Sequence, residues 1–391
     1  VVGDPPMSTL SLLESEDGGA LAAQVRAVAR DWTPGASAPD AWTRIGVRLG
    51  VAGLLVPESY GGAGAGLREA AAVAQALGRD LVTVPFLTSA VTATTVLTGI
   101  AGLTGASPAA AETLTELAAG TAVAAVVLPA TSAQGDDPAV RVDEPVPGAG
   151  DRLVLHGRVA GVLGAVEVDR LLVPVTDAHG GYGVALVTAA AGDPGVTVTP
   201  ETSLDETRPV SVVVLDGAPA LMLATGAPAR EAVRRALRAA TVAIAAEQVG
   251  AMEWAVEAST AHLGVRRQFG RELGSYQSLR HLVARMWIDL QQARAVTLYA
   301  AAALDPPAGE VPQDEVDLAV SLASVHARSR ALACLEDTLQ VHGGIGFTWE
   351  HPLHRYLKRS FSLTAVHGTP DHHRDAVARL ADLPAAGAGR G

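Results

Sequence analysis

From Pro228 to Gly270 the chain reads "PAREAVRRALRAATVAIAAEQVGAMEWAVEASTAHLGVRRQFG", with no proline after the first residue and apolar side chains at helical spacing. At 1.5 Å per residue, such a run makes a helix on the order of 60 Å long. A rod of that length cannot bury its apolar stripe alone and needs companions of similar length. "YQSLRHLVARMWIDLQQARAVTLYAAAAL" and "EVDLAVSLASVHARSRALACLEDTLQVHGG" supply two, and "DHHRDAVARLADL" a shorter third. Long helices joined by short turns predict a C-terminal four-helix bundle over residues 227–391.

Upstream the period changes. "TAVAAVVLP", "RLVLHGRVAGVL", "DRLLVPVT", "GVALVTA", "GVTVTP" and "VSVVVLDG" are short, Val-rich and punctuated by Gly, Pro and Asp. They predict a β-barrel or sandwich domain over residues 121–226. Before it, "ALAAQVRAVARDW", "GLREAAAVAQALGRDL" and "AAAETLTELAAG" return to helical spacing, so residues 1–120 read as an all-helical domain. The fold class is α+β in the order helical, β, helical, with no internal repeat.

Composition excludes several functions. A formal net charge of −12 without a basic block argues against nucleic-acid binding. The single cysteine, Cys334 in "ALACLED", rules out an intramolecular disulfide and reads as a packing residue. No zinc framework is present. The start, "VVGDPPMSTL", has neither the charged nor the apolar region of a signal peptide, and Met7 reads as a natural start. No apolar stretch reads as a bilayer span. The expectation is a soluble, cytoplasmic protein without membrane partners.

Two stretches carry candidate chemistry. "RRQFGRELGSYQ", Arg266 to Gln277, sets a guanidinium, an aromatic ring, a glycine turn and an amide between two long helices. Arginine suits a diphosphate through paired charge-assisted bonds. The plain alternative is an interhelical turn in which Phe269 plugs the core and Arg266 makes a surface pair. "LQVHGGIGFTWEHP", Leu339 to Pro352, ends the third long helix. A helix cap needs one glycine, and this stretch has three within four residues, which suits close approach of a ligand or another backbone.

Together these motifs resemble the acyl-CoA dehydrogenase family. The resemblance covers essentially the whole chain and is strongest from Glu247 to Arg359. "VPESYGGAGAG" resembles the family's early glycine-rich stretch, and "SLDETRPVSVVVLDG" the end of its β-domain. "QVHGGIGFTWEHP" resembles an actinobacterial branch, many of whose members act on bulky or steroid-derived acyl-CoA thioesters. The resemblance implies FAD between the β-domain and the C-terminal bundle, crossing a subunit interface. It implies that Arg266 and Phe269 contact the diphosphate and adenosine side. Gln340, Gly343 and Gly344 would reach FAD from the neighbouring subunit, Gln277 falls in the family's "FQ" position, and Thr369 joins the cofactor-binding set. The implied reaction is α,β-desaturation of an acyl-CoA: a carboxylate takes the α-proton and a hydride leaves the β-carbon for flavin N5. An electron-transfer flavoprotein would reoxidise the flavin. The implied assembly is a dimer of dimers, or a heteromer with a paralogue in which one chain lacks the base.

The chain departs from the family where the base should be. The family's "YEGT" is "AVHGT" here, placing His367 at the acid, and the earlier position on the long helix is Ala240. Glu247 lies two turns after Ala240, among Ala243, Ala246, Gly250 and Ala251. That stripe of small residues makes room for a ligand or for another helix. A carboxylate there suits a base for a weakly acidic C–H bond, and the branch often carries this "AAEQ" segment. The plain alternative is an acid paired with an Arg or His across the bundle. His367, as a neutral imidazole, is the second candidate base. Glu253 and Glu257 read as surface charges. In the β-domain, "VLPATSAQGDD" and "LHGRVAGVLGA" offer Thr131 and Ser132 but lack the aromatic expected against the flavin ring. Two further readings stay open: a non-catalytic partner subunit, and an oxidase, oxygenase or non-redox enzyme on the same fold.

Overall fold

The computed structural model describes residues 15–30, 32–33, 35, 40–133, 138–142, 152–166, 168–176, 179–188, 194–306 and 310–383. Met7, part of "VLPATSAQGDD" and the last residues of the chain lie outside them.

The helical–β–helical order is observed. Helices α1 (Glu16–Ala29), α2 (Leu67–Arg79), α3 (Thr94–Thr104) and α4 (Pro108–Ala119) come first. Strands β1 (Ala124–Val126), β2 (Val140–Val142), β3 (Arg152–Leu163), β4 (Arg170–Thr176), β5 (Tyr182–Thr188), β6 (Val196–Glu201) and β7 (Val210–Thr225) follow. Helices α5 (Gly226–Val265), α6 (Gln277–Leu304), α7 (Gln313–His342), α8 (Leu353–Leu363) and α9 (Pro370–Leu380) complete the chain, with a small hairpin, β8 (Arg267–Gln268) and β9 (Arg271–Glu272), between α5 and α6.

The β-domain closes on itself. β4 pairs β2 in parallel, β2 pairs β3, β3 pairs β7, β7 pairs β5, and β5 returns to β4. Closure is what removes exposed edges from a small barrel. β7 makes it possible: its first half pairs β6 and β3, and its second half reaches β5. The sequence pattern ended that strand near Gly217, because Gly217 and Pro219 look like a stop. Gly217 instead takes φ +75 at a register shift within the β3–β7 ladder.

α5 is the axis of the molecule, as its length required. It packs against α2, α3, α6 and α7, and its residues from Ala239 to Met252 are all buried. Gly78 of α2 and Gly250 of α5 make the α2–α5 crossing tight. A Cβ on Gly250 would run into the carbonyl of Gln75, and one on Gly78 into the backbone of Glu247. The small-residue stripe around Glu247 therefore admits a helix, and that helix is α2.

Three expectations need correction. Phe86–Thr104, a π-helical segment continuing into α3, is long and apolar enough by length and composition to cross a bilayer. It is a core helix here: Val91, Val96, Leu97 and Ile100 are fully buried, and Gly99 sits against Ala232 of α5. α8 was not legible, because its pattern is crowded with Arg and Lys. Its buried face is Leu353, Tyr356, Arg359, Ser360 and Leu363. Glu253 is no surface charge either. It meets Arg26 at 3.1 Å, Arg294 at 3.4 Å and Gln75 at 2.7 Å, tying α1, α2 and α6 to α5. Cys334 is buried, its thiol pushed up to about 12, as a packing residue should be.

Candidate cofactor and active site

The hairpin after α5 turns on Phe269 and Gly270, both at positive φ (+53 and +81). Two-residue hairpins favour this geometry, and glycine adopts it freely, but a phenylalanine there is strained. Its ring does not plug the core: Phe269 is 89% exposed at the tip. At the end of α7 the helix stops on Gly343, with φ 58 and ψ −135. A Cβ at Gly343 or Gly344 would meet nothing within 4 Å. These glycines face open space.

Between hairpin and glycines lies a cavity of about 1120 Å³. Arg266, Gln268, Phe269, Gln340, Gly343 and Gly344 line it, together with His262, His342 and His351. No carboxylate is among the described residues lining it. In a chain of net charge −12, this concavity is set for an anion. The Arg266 guanidinium meets no carboxylate among the described residues, so its predicted surface pair is absent. Val265, which lines it, is 78% exposed, and Phe347 and Trp349, a few residues after Gly344, are 77% and 76% exposed. Of the residues expected to hold FAD, five therefore gather in one concavity of one chain: Arg266, Phe269, Gln340, Gly343 and Gly344. Arg266 and Phe269 therefore lie in the same concavity as the three residues expected to reach a neighbour's cofactor. Gln277 opens α6 beside the cavity but does not line it. Thr369 is elsewhere, accepting a hydrogen bond from His372 N as the cap of α9.

A second, much smaller cavity lies where the three domains meet. Leu87, Thr88 and Thr92, the β-domain residues Val126, Leu128, Ala130 and Leu163, Leu237 of α5 and His367 line about 20 Å³. That is little more than one water. His367 is at φ +54, its N–H donates to Ala130 O at 2.7 Å, and its ring Nδ1 is buried without a partner. Burial first, and the nearby Arg328 guanidinium second, push its imidazole down to about 3. Among the described residues, no Phe, Tyr or Trp and no carboxylate line this junction pocket. Ser132 is buried nearby, and Thr131 is exposed.

Glu247 is at neither cavity. Arg208 Nη2 lies 2.7 Å from both its oxygens, and Arg359 Nη1 donates at 3.3 Å. Arg359 continues to Asp205 at 2.6 Å and to Thr207. Burial opposes the charge on Asp205, but the Arg359 guanidinium and the Thr207 hydrogen bond outweigh it and hold the carboxyl below its usual range. Burial and the like charge of Arg208 pull Arg359 below its ordinary value, against the pull of Asp205 and Glu247. This cluster joins the loop before β7, α5 and α8.

Residues 19–128 match the description "Acyl-CoA dehydrogenase, N-terminal domain", and residues 230–381 match "Acyl-CoA dehydrogenase, C-terminal domain". A curated relative, acyl-CoA dehydrogenase IpdE2 of Mycobacterium tuberculosis, is 30% identical over 87% of this chain and 85% of its own. The chain belongs to the acyl-CoA dehydrogenase family. The ChsE4-ChsE5 complex from Mycobacterium tuberculosis superposes with a TM-score of 0.80 at 25% identity, covering 96% of this chain and all of that one. A glutaryl-CoA dehydrogenase from Mycobacterium smegmatis in complex with FADH2 superposes at 0.75 with 21% identity, covering 96% and 97%. The protein is an acyl-CoA dehydrogenase-type oxidoreductase, and FAD is its cofactor. The fit divides the molecule. The large cavity suits an adenosine diphosphate: a free guanidinium, amides and two glycines without neighbours. The junction pocket, at about 20 Å³, is too small for a tricyclic flavin ring as it stands.

Proposed function

We propose that this chain works in the FAD-dependent α,β-desaturation of an acyl-CoA thioester, within an assembly of two or more subunits. The observation that carries the reading is the anion cradle: Arg266, Gln340, Gly343 and Gly344 around one open, carboxylate-free cavity. When bound, FAD accepts the β-hydrogen as hydride. Phe269, exposed at the rim, offers its face to the adenine, and Arg266 pairs the diphosphate. The exposed Val265, Phe347 and Trp349 form the seat of a neighbouring subunit.

In this reading Glu247 is a structural acid. Both its oxygens are held by guanidinium groups, and it lines neither the cradle nor the junction pocket. The titratable group at the junction pocket is His367. It is neutral near pH 7, and its buried Nδ1 has a free place for the α-proton. The reading tests by anaerobic titration of the purified protein with an acyl-CoA panel, following the flavin spectrum. Bleaching that survives Glu247→Gln and disappears in His367→Gln supports it. Bleaching lost in Glu247→Gln, with the fold intact, returns the base to Glu247.

A second reading has its own observation. The junction pocket is small, about 20 Å³, and no carboxylate lines it among the described residues, while the cradle is large, about 1120 Å³. A subunit that lends its cradle to a paralogue, and leaves the base to that paralogue, would look like this. The similar ChsE4-ChsE5 structure is a complex of two named proteins. Protein that binds FAD only after co-expression with a paralogue favours this reading. An electron-transfer flavoprotein as the acceptor, and a bulky acyl group as the substrate, belong to the same proposal.

A further inference from the structure

Three histidines meet in the cradle, and the family resemblance gives none of them a role. The ring centroids of His262 of α5 and His342 at the end of α7 lie 4.4 Å apart with the rings tilted by 36°, and that of His351 lies 4.5 Å from His342, tilted by 52°. All three line the cavity. The described residues contain no group of His, Cys, Asp and Glu able to hold a metal ion.

Hydrogen bonding makes the three rings unequal. His342 Nδ1 lies 2.8 Å from Thr338 O, and a carbonyl only accepts, so this nitrogen carries the hydrogen. Its Nε2 has no protein partner among the described residues and can take a proton without breaking that bond. His351 is the reverse. Its Nδ1 accepts from Leu353 N at 3.3 Å, so a second proton there would break a bond already made. The charged and titratable neighbours are those of one sign. His262 faces His342 and Arg266, and His351 faces His342, His262 and His354. Burial first, then these neighbours, lower His262 and bring His351 to about 4, so both flanking rings are neutral near pH 7. The nearest acid in sequence, Glu350, is exposed and engages Thr348. The group therefore has room for one added positive charge, at its centre, and no carboxylate to supply a counter-charge.

We propose that His342, flanked by His262 and His351, takes up a proton as the diphosphate of the cofactor enters the cradle, so that cofactor binding is linked to proton uptake. The missing counter-ion is the ligand itself. The proposal rests on the assignment of this cavity to the FAD diphosphate. Arg266 supplies a permanent charge, and His342 supplies one that arrives with the proton.

The test uses the full-length protein with FAD removed, and two probes whose diphosphates do not titrate near neutrality: FAD and ADP-ribose. Dissociation constants are measured from pH 6 to 8.5 by fluorescence and calorimetry. One linked proton makes binding weaken by up to about tenfold per pH unit through the titration. His342→Asn keeps a side-chain donor for Thr338 O but cannot titrate. It flattens the profile at the weak, high-pH affinity. Arg266→Gln weakens binding at every pH and leaves the slope. A flat profile in the wild type, or a slope that survives His342→Asn, overturns the proposal and leaves the cofactor assignment standing. If neither probe binds at any pH, the cofactor assignment and the proposal fall together.

Discussion

Two regions of this molecule combine glycines, arginines and a helix end, and they do opposite things. At the α2–α5 crossing, Gly78 and Gly250 bring backbone against backbone, and the nearby charges of Glu247, Arg208, Arg359 and Asp205 are all paired. At the cradle, Gly343 and Gly344 meet nothing, and Arg266 has no carboxylate. The first region is closed by its own chain. The second is a surface whose partners lie outside it. The comparison gives a physical rule. A glycine that a methyl group would push into backbone marks packing; Gly343 and Gly344 lack that constraint, and it is their place on the cavity wall that gives their open space a use.

The largest expected effect would break this contrast at its closed side. Glu247→Gln removes the charge that the buried Arg359 and the largely buried Arg208 share. Breaking a buried pair from one side costs about 3 kcal/mol or more, because the remaining charges lose their compensation. A drop of that size in urea-denaturation stability marks Glu247 as structural. An unchanged stability with lost flavin bleaching makes it the base, and the closed region would then be a functional one.

Next comes a matched pair of methyl groups. Gly250→Ala puts a Cβ into the Gln75 carbonyl, and the overlap costs about 1–3 kcal/mol in stability. Gly344→Ala adds the same group in open space, so stability changes by less than about 0.5 kcal/mol. Binding should reverse the order, with FAD affinity reduced by Gly344→Ala and unaffected by Gly250→Ala in the folded fraction. Equal stability losses at both sites would erase the distinction.

This pair also shows why the sequence was readable only in part. The helical–β–helical order was legible because hydrophobic period changes are local, and α5, α6 and α7 are long enough to display them. The cradle residues were legible because an arginine, a Phe-Gly turn and clustered glycines are unusual together. Glu247 was not, because "AAEQVGA" has the same appearance whether a ligand or α2 lies across the stripe. What decides it is Gly78, some 170 positions upstream, together with Arg208 and Arg359 on two other elements. The histidine group was missed for the same reason. His342 and His351 both lie in "LQVHGGIGFTWEHP", but nine residues apart, and His262 is on another helix some 80 positions upstream, so their meeting is not visible in the sequence.

A third measurement compares the histidines of the two regions by pH. Burial, with Arg328 next, pushes His367 down to about 3 and His373 to about 4. Unfolded imidazoles bind protons from about pH 6.5 downward, and these folded ones do not. Their contribution is fully present above that value and is lost as pH falls from about 6.5 towards 4. Each imidazole costs at most about 1.4 kcal/mol per pH unit in that window. Urea midpoints should therefore fall between pH 7 and 5, and His373→Gln should reduce the slope. Cofactor affinity should move the other way over the same range. If both fall together, the cradle histidines behave like the buried ones.

The smallest effect tests the open side by repairing it. Phe269 occupies a left-handed position that asparagine tolerates far better, in a two-residue hairpin where Asn-Gly is the preferred pair. Phe269→Asn should therefore raise stability by about 0.5–1 kcal/mol, since the exposed ring leaves no core contact behind. The same substitution removes the aromatic face at the rim, and FAD should bind several-fold more weakly. A residue that costs stability where it stands, and is held at the tip of an open cavity, is explained by what it touches when the cavity is filled. Greater stability with unchanged cofactor affinity would instead leave Phe269 to the subunit seat formed by Val265, Phe347 and Trp349. The way to separate the two is to measure association state and FAD affinity on the same sample.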